Sequence, residues 1–169
     1  DCAEVSKERV EILDQLLEAK ICSAKEFRPI VRNLFKRSHA EKAKQVVFLA
    51  DGAKWIWNLA HRIAPQAIQI LDFAHAKQHL YSVGKFIYGE EGEMLQAFVR
   101  KMEGLLLEDR IDEVIAWFKV QEGHYKELDR ELKYFSRNKK RMRYKTFRSM
   151  GLVIGSGAIE SSGKRIAHA

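Results

Sequence analysis

Three acidic positions stand where a carboxylate could do chemistry as well as keep the chain soluble. Asp51 ends the run QVVFLAD and is followed by Gly52, Asp72 and His75 lie within LDFAHAKQH, and Glu160 lies within IGSGAIESSGKR, 154–165. An acid at the C-terminal tip of a buried strand faces the crevice where open α/β sheets hold ligands. Asp-Gly is also a turn pair that caps a following helix, so Asp51 by itself is open to both readings. Asp72 and His75 are three residues apart and could meet on one helical face, the acid orienting the ring or sharing its proton. An N-cap Asp beside a partly buried His accounts for the same residues. His79 follows one turn later, but a zinc site on the pair wants a third ligand and an HExxH-like setting, which this chain lacks. With Gly157 as cap, Glu160 would stand at N3 and complement the helix dipole, with Lys164 one turn on as an ion-pair partner. The small residues Gly155, Ser156, Gly157, Ser161 and Ser162 also leave room for a bulky polyanion beside that carboxylate. Carboxylates near phosphate-binding groups point to divalent cations, because Mg²⁺ prefers oxygen ligands and keeps positions for water and substrate phosphate.

Charge supports a polyanionic partner. The chain carries 30 Lys and Arg against 23 Asp and Glu, a formal charge of +7, and a surplus of that sign favours nucleic acid. It is concentrated in KYFSRNKKRMRYKTFR, 133–148, with eight basic residues, no acid, and Tyr134, Phe135, Tyr144 and Phe147 between them. Basic side chains there can neutralise phosphates while the rings stack on bases or anchor the segment to the fold. A solvated basic helix is the plainer alternative. The two cysteines, Cys2 and Cys22, have no paired ligand spacing, so neither a disulfide framework nor a zinc module is supported and a reducing, intracellular setting is expected. No apolar run approaches the roughly 20 residues of a membrane span, and a soluble protein without a membrane partner is expected.

The elements that would hold these residues follow from periodicity. The first 40 residues are helical in pattern, with Val5, Val10, Ile12, Leu13, Leu16 and Leu17 near helical spacing. A second helix is predicted around 27–35, with Pro29 in its first turn. QVVFLAD then has the β-branched and aromatic content of a strand, 53–63 is a helix that Ala64 and Pro65 end, and AIQILDF, 67–73, is a second strand. Helix resumes in HAKQHLYSVGKFIYG. From residue 90 to about 132 the pattern is helical throughout, with Met94, Leu95, Phe98, Met102, Leu105 and Leu106 on one face and Ile111, Val114, Ile115, Trp117 and Phe118 on another. The predicted class is α/β but mostly helical. Its parts are a helical N-terminal segment (1–44), a strand-helix-strand-helix core (45–88), a helical insertion carrying the basic stretch (89–150) and a return to the core (151–169).

The order FLADGAKWIWNLA, a proline, ILDFAHAKQHL, a helical stretch, then YF, RM, FR and GLVIGSGAIESSGKR resembles bacterial insertion-sequence transposases of the DDE class. The likeness is to the Kra-type elements in particular and, more distantly, to the Mutator-like group with its C/DxxH motif, and it covers residues 25–169. The resemblance implies an RNase H-like core interrupted by an all-helical insertion before the last catalytic carboxylate. It implies that Asp51, in the DGAxWIW motif, is the second catalytic Asp and that Glu160, in IGSGxxES, is the closing Glu. Both would hold Mg²⁺ or Mn²⁺, with two ions expected. Asp72 and His75 match the DxxH signature and are assigned to active-site support or DNA contact, with a direct catalytic role for Asp72 as the lesser alternative. The family's first Asp stands in a VDG context on an earlier strand. Nothing before Gln45 has that form, Asp1 and Asp14 falling in helical pattern, so that residue is expected outside this chain, which looks like the truncated or decayed C-terminal part of a catalytic domain.

The implied reaction is strand cleavage by water followed by attack of a 3′-hydroxyl on target DNA, with the ions about 4 Å apart. Lys139, Lys140, Arg141, Arg143, Lys145 and Arg148 would hold backbone phosphates, with Lys164 and Arg165 nearer the scissile group. The expected partners are DNA, both element ends and target, and a second copy of the chain as a homodimer. No small-molecule cofactor is expected, and the setting would be the bacterial cytoplasm, with the nucleoid. Two alternatives share these residues: a DNA-binding remnant without catalytic competence, and a structure-selective nuclease on the same scaffold.

Overall fold

A computed structural model describes residues 23–122, 125 and 128–155. Its first helix, α1 (Ala24–Arg37), opens with a capping box. The Ser23 hydroxyl accepts from the Glu26 N–H at 3.4 Å, while the Glu26 carboxylate accepts from the Ser23 N–H at 2.8 Å, which satisfies two otherwise orphaned donors. The helix therefore begins before the predicted start, and Pro29 lies in its second turn, where its missing N–H costs the helix a hydrogen bond. No residue of α1 is buried, and it meets the next helix through Phe27 set edge-on to Trp55 at 6.3 Å.

β1 (Val47–Ala50) and β2 (Ile68–Leu71) pair in parallel, from Val47 opposite Ile68 to Ala50 opposite Leu71. A parallel pair cannot be closed by a tight turn and needs a crossover, which α2 (Lys54–Ile63) supplies. Both strands lie inside the predicted runs and are shorter, and Phe73, the last residue of the second run, opens a helix. They are the whole of the sheet among the described residues.

Asp72 caps α3 (Phe73–Tyr88). α4 (Glu93–Leu107), α5 (Ile111–Glu122) and α6 (Asp129–Asn138) follow, then a 3₁₀ turn at Lys139–Arg141 and the short α7 (Tyr144–Ser149). The stretch from 90 to 132 holds helices and no strand among its described residues, as its periodicity predicts. One apolar core runs from Ile70 and Leu71 through Leu80, Phe98 and Phe118 to Phe135, so the sheet and the helical segment after it share a single interior. At Gly84 a Cβ would lie 2.5 Å from Leu95 Cδ1 and 2.9 Å from Phe98 Cδ1; only glycine lets α3 and α4 approach this closely.

Candidate active-site cleft

The strand register brings Asp51 and Asp72 to neighbouring tips, with the Asp72 N–H donating to the Ala50 carbonyl at 2.8 Å. Adjacent strands lie about 4.8 Å apart, yet the two carboxylates have different surroundings. Asp51 is exposed. Its Oδ1 accepts from the Ala53 N–H at 2.9 Å, closing an Asx turn over Gly52, whose φ is +95°. A side chain at 52 would stand 2.8 Å from Leu71 Cδ1 and 3.0 Å from the Tyr134 hydroxyl, so glycine is required there on two counts. Asp72 is only 2% exposed. Its Oδ1 accepts from the backbone N–H of Ala74 at 2.8 Å and of His75 at 3.2 Å. The contact between Asp72 and His75 is thus a helix cap. For Asp51 the turn and the crevice readings hold together.

Above Asp51 opens a cavity of about 630 Å³. The β1–α2 turn forms its floor, α3 contributes His75 and His79, and α6 contributes Asp129, Arg130, Lys133, Tyr134 and Arg137. Arg130, Lys133 and Arg137 recur at i, i+3 and i+7, which sets three cations on one helical face. Lys133 is ion-paired with Asp129, and Arg130 Nε lies 3.9 Å from Glu131. Tyr134 ties the walls to the floor. Its hydroxyl donates to the Asp51 carbonyl at 3.1 Å, and its ring stacks on His79 at 3.7 Å and 22°. Burial, then the negative charge of Asp51, holds this phenol protonated well above its ordinary range. His79 Nδ1 lies 2.6 Å from Glu131 Oε2. A carboxylate is an acceptor, so Nδ1 is the nitrogen that carries the proton toward Glu131, and Nε2 is left for another partner.

Of the two readings of the basic stretch's rings, anchoring is the one the fold shows. All four interleaved rings, Tyr134, Phe135, Tyr144 and Phe147, are buried, so they anchor the segment to the fold. Arg141 is built into the structure. Its Nε donates to Gln69 Oε1 at 2.8 Å, its Nη1 donates to the Arg137 carbonyl and Asn138 Oδ1 at 3.3 Å each, and its guanidinium lies 4.6 Å from the Trp57 ring centre. Lys139 pairs with Asp112 at 2.5 Å and Lys145 with Glu108 at 2.6 Å. Exposed pairs of this kind are worth roughly 0–1 kcal/mol and exchange readily for a phosphate; the Arg141 contacts do not. Asp109, at φ +60°, accepts from the N–H groups of Lys145 at 2.8 Å and Thr146 at 3.1 Å and so caps α7 from a distance. Lys140, Arg143 and Arg148 are exposed.

Glu160, Lys164 and Arg165 lie outside the described residues. The segment leading to them meets the fold at Ile154, whose carbonyl accepts from the Phe73 N–H at 2.9 Å, next to Asp72. Among the described residues no group of three or more His, Cys, Asp or Glu is arranged to hold a metal ion. The donor chemistry still suits a hard cation. Mg²⁺ is commonly held by one or two carboxylates together with water and substrate phosphate, and Asp51 opens onto the cleft.

Several cleft residues escape a reading of the sequence. Lys133 and Arg137 belong to the basic run 133–148 read from the sequence, whereas Arg130, one turn earlier on the same stripe, lies outside it. His79 and Glu131 are 52 residues apart, and no local pattern joins them. Among the described residues no helix is long and apolar enough to cross a membrane. A scan against protein-family models and searches of curated proteins and of solved structures find no match to this chain.

Proposed function

We propose that this chain carries the catalytic part of a DDE-class DNA transposase of the Kra type, performing metal-dependent DNA strand cleavage and strand transfer on an RNase H-like core. One observation carries the reading: an exposed carboxylate, Asp51, at the tip of a parallel strand, beneath a cleft whose opposite wall is the cationic face of α6. Cations on the wall attract a phosphate, while a carboxylate on the floor repels it. The arrangement makes sense for a ligand that brings a divalent ion between its phosphate and Asp51. When bound, that ion supplies charge stabilisation to the phosphodiester.

The chain's own residues do the rest. Arg130, Lys133 and Arg137 bind and orient the backbone phosphate, with Lys140, Arg143 and Arg148 extending the track. Gly52 and Tyr134 hold the turn that presents Asp51. Glu160 is the second carboxylate of the reading; it stands six positions after the anchored Ile154, a chain length that reaches at most about 22 Å.

The test is joining and nicking of a DNA duplex with Mg²⁺ or Mn²⁺. Asp51→Asn is expected to reduce both by more than about 100-fold, beyond the loss typical of an outer-shell partner, with duplex binding retained. Full activity in that variant, or activity indifferent to a chelator, would sink the proposal. A second reading, DNA binding without catalysis, predicts duplex bound but neither cut nor joined. Cut but unjoined product would point to a nuclease.

A further inference from the structure

Among the polar groups of the cleft that are left outside the cationic wall, His79 is held in a fixed orientation. It lines the cleft, yet its Nδ1 is turned to Glu131, which does not. The ring is fixed in two directions, by the carboxylate at 2.6 Å and by the face of Tyr134 at 3.7 Å. The same Tyr134 bonds the Asp51 carbonyl, so imidazole and floor share one support. With Nδ1–H given to Glu131, the Nε2 of that tautomer is an acceptor and calls for an O–H or N–H donor. A phosphate diester has none. The terminal hydroxyl of a DNA strand has one.

We propose that His79 binds and orients the 3′-hydroxyl of a DNA strand end in the Asp51 cleft, accepting its hydrogen bond at Nε2, while Arg130 and Arg137 hold the adjoining phosphate and Glu131 fixes the ring. This rests on the reading of the cleft as a DNA site. It adds a preference that charge cannot supply: a strand end bearing a hydroxyl binds more tightly than the same end without it. Glu131 is a positioning residue, acting through the imidazole.

The test uses the full chain and fluorescently labelled DNA duplexes that differ only in a 3′-hydroxyl or a 3′-deoxy terminus, with affinity read by anisotropy and without added divalent ion. The wild-type chain is expected to prefer the hydroxyl end by about 5- to 10-fold, the worth of one hydrogen bond. His79→Asn keeps a donor near Glu131 and has nothing at the Nε2 position, so both ends should bind at the affinity of the deoxy end. His79→Gln, whose amide reaches that position, should restore part of the preference, and it serves if the shorter side chain unsettles the fold. Glu131→Gln should narrow the preference and shift the His79 tautomer signals in ¹⁵N NMR, which loss of packing alone does not do. If the wild type binds both ends equally while Arg130→Ala and Arg137→Ala weaken both, the hydroxyl assignment is overturned and the DNA reading stands. A preference that survives in His79→Asn overturns it as well. If no duplex binds with or without Mg²⁺, or the arginine variants bind as the wild type does, the DNA reading of the cleft falls and this proposal with it.

Discussion

Arg130, Lys133 and Arg137 stand along one face of α6 and look into the cleft, whereas the denser run from Lys139 to Arg148 has much of its charge engaged within the fold. The first region has fewer cations and presents them to a concave surface. The second has more, and their partners are Gln69, Asn138, Asp112 and Glu108. Acids reach both regions, Asp129 beside Lys133 and Glu131 beside Arg130 as well as Asp112 and Glu108 in the second, so what separates them is the cleft wall that presents the first and the interior contacts that hold Arg141 in the second.

The sharpest way to break this contrast is to neutralise each region in turn. Replacing Arg130, Lys133 and Arg137 together by Ala is expected to weaken duplex binding by about 100-fold and lower the salt slope by two to three. Replacing Lys139 and Lys145, which do not line the Asp51 cleft, should weaken it by less than about fivefold. Equal losses would abolish the distinction. Next in size is Arg141→Ala, which removes a charged hydrogen-bond set and a ring contact; a loss of about 2–3 kcal/mol in denaturant unfolding is expected, with the salt slope unchanged. Asp109→Ala should cost about 1–2 kcal/mol by uncapping α7, again read by unfolding rather than binding. The smallest effect concerns pH. Tyr134 and Tyr144 are both held protonated above the ordinary phenol range, chiefly by burial. The unfolded chain loses those protons first, near pH 10, so stability is intact below that pH and falls as pH rises toward the folded values. Tyr134→Phe should remove roughly half of that alkaline slope, followed by thermal unfolding at stepped pH.

How much of this was legible in the sequence depends on range. The strand ends at Asp51 and Asp72 were readable, because each follows a short apolar run and introduces a helix. The capping box of α1 was also written locally, as Ser23 and Glu26; the apolar spacing around Phe27 obscured it and shifted the predicted start. The rings of the basic stretch could have faced bases or the core, and only tertiary burial separates the two. The rest was out of reach. The bond from Thr146 to Asp109 crosses 37 residues and that from His79 to Glu131 crosses 52, and contacts at such separation leave no periodicity behind.

Gly84 ties this chemistry to a packing detail far from any charge. His79 lies less than two turns upstream on the same rod, so whatever wedges α3 off Leu95 and Phe98 also swings the imidazole relative to Glu131. A methyl group added at that glycine would be felt in the cleft as a misaimed ring, and a fault in the apolar interior would be recorded as a change in ligand choice.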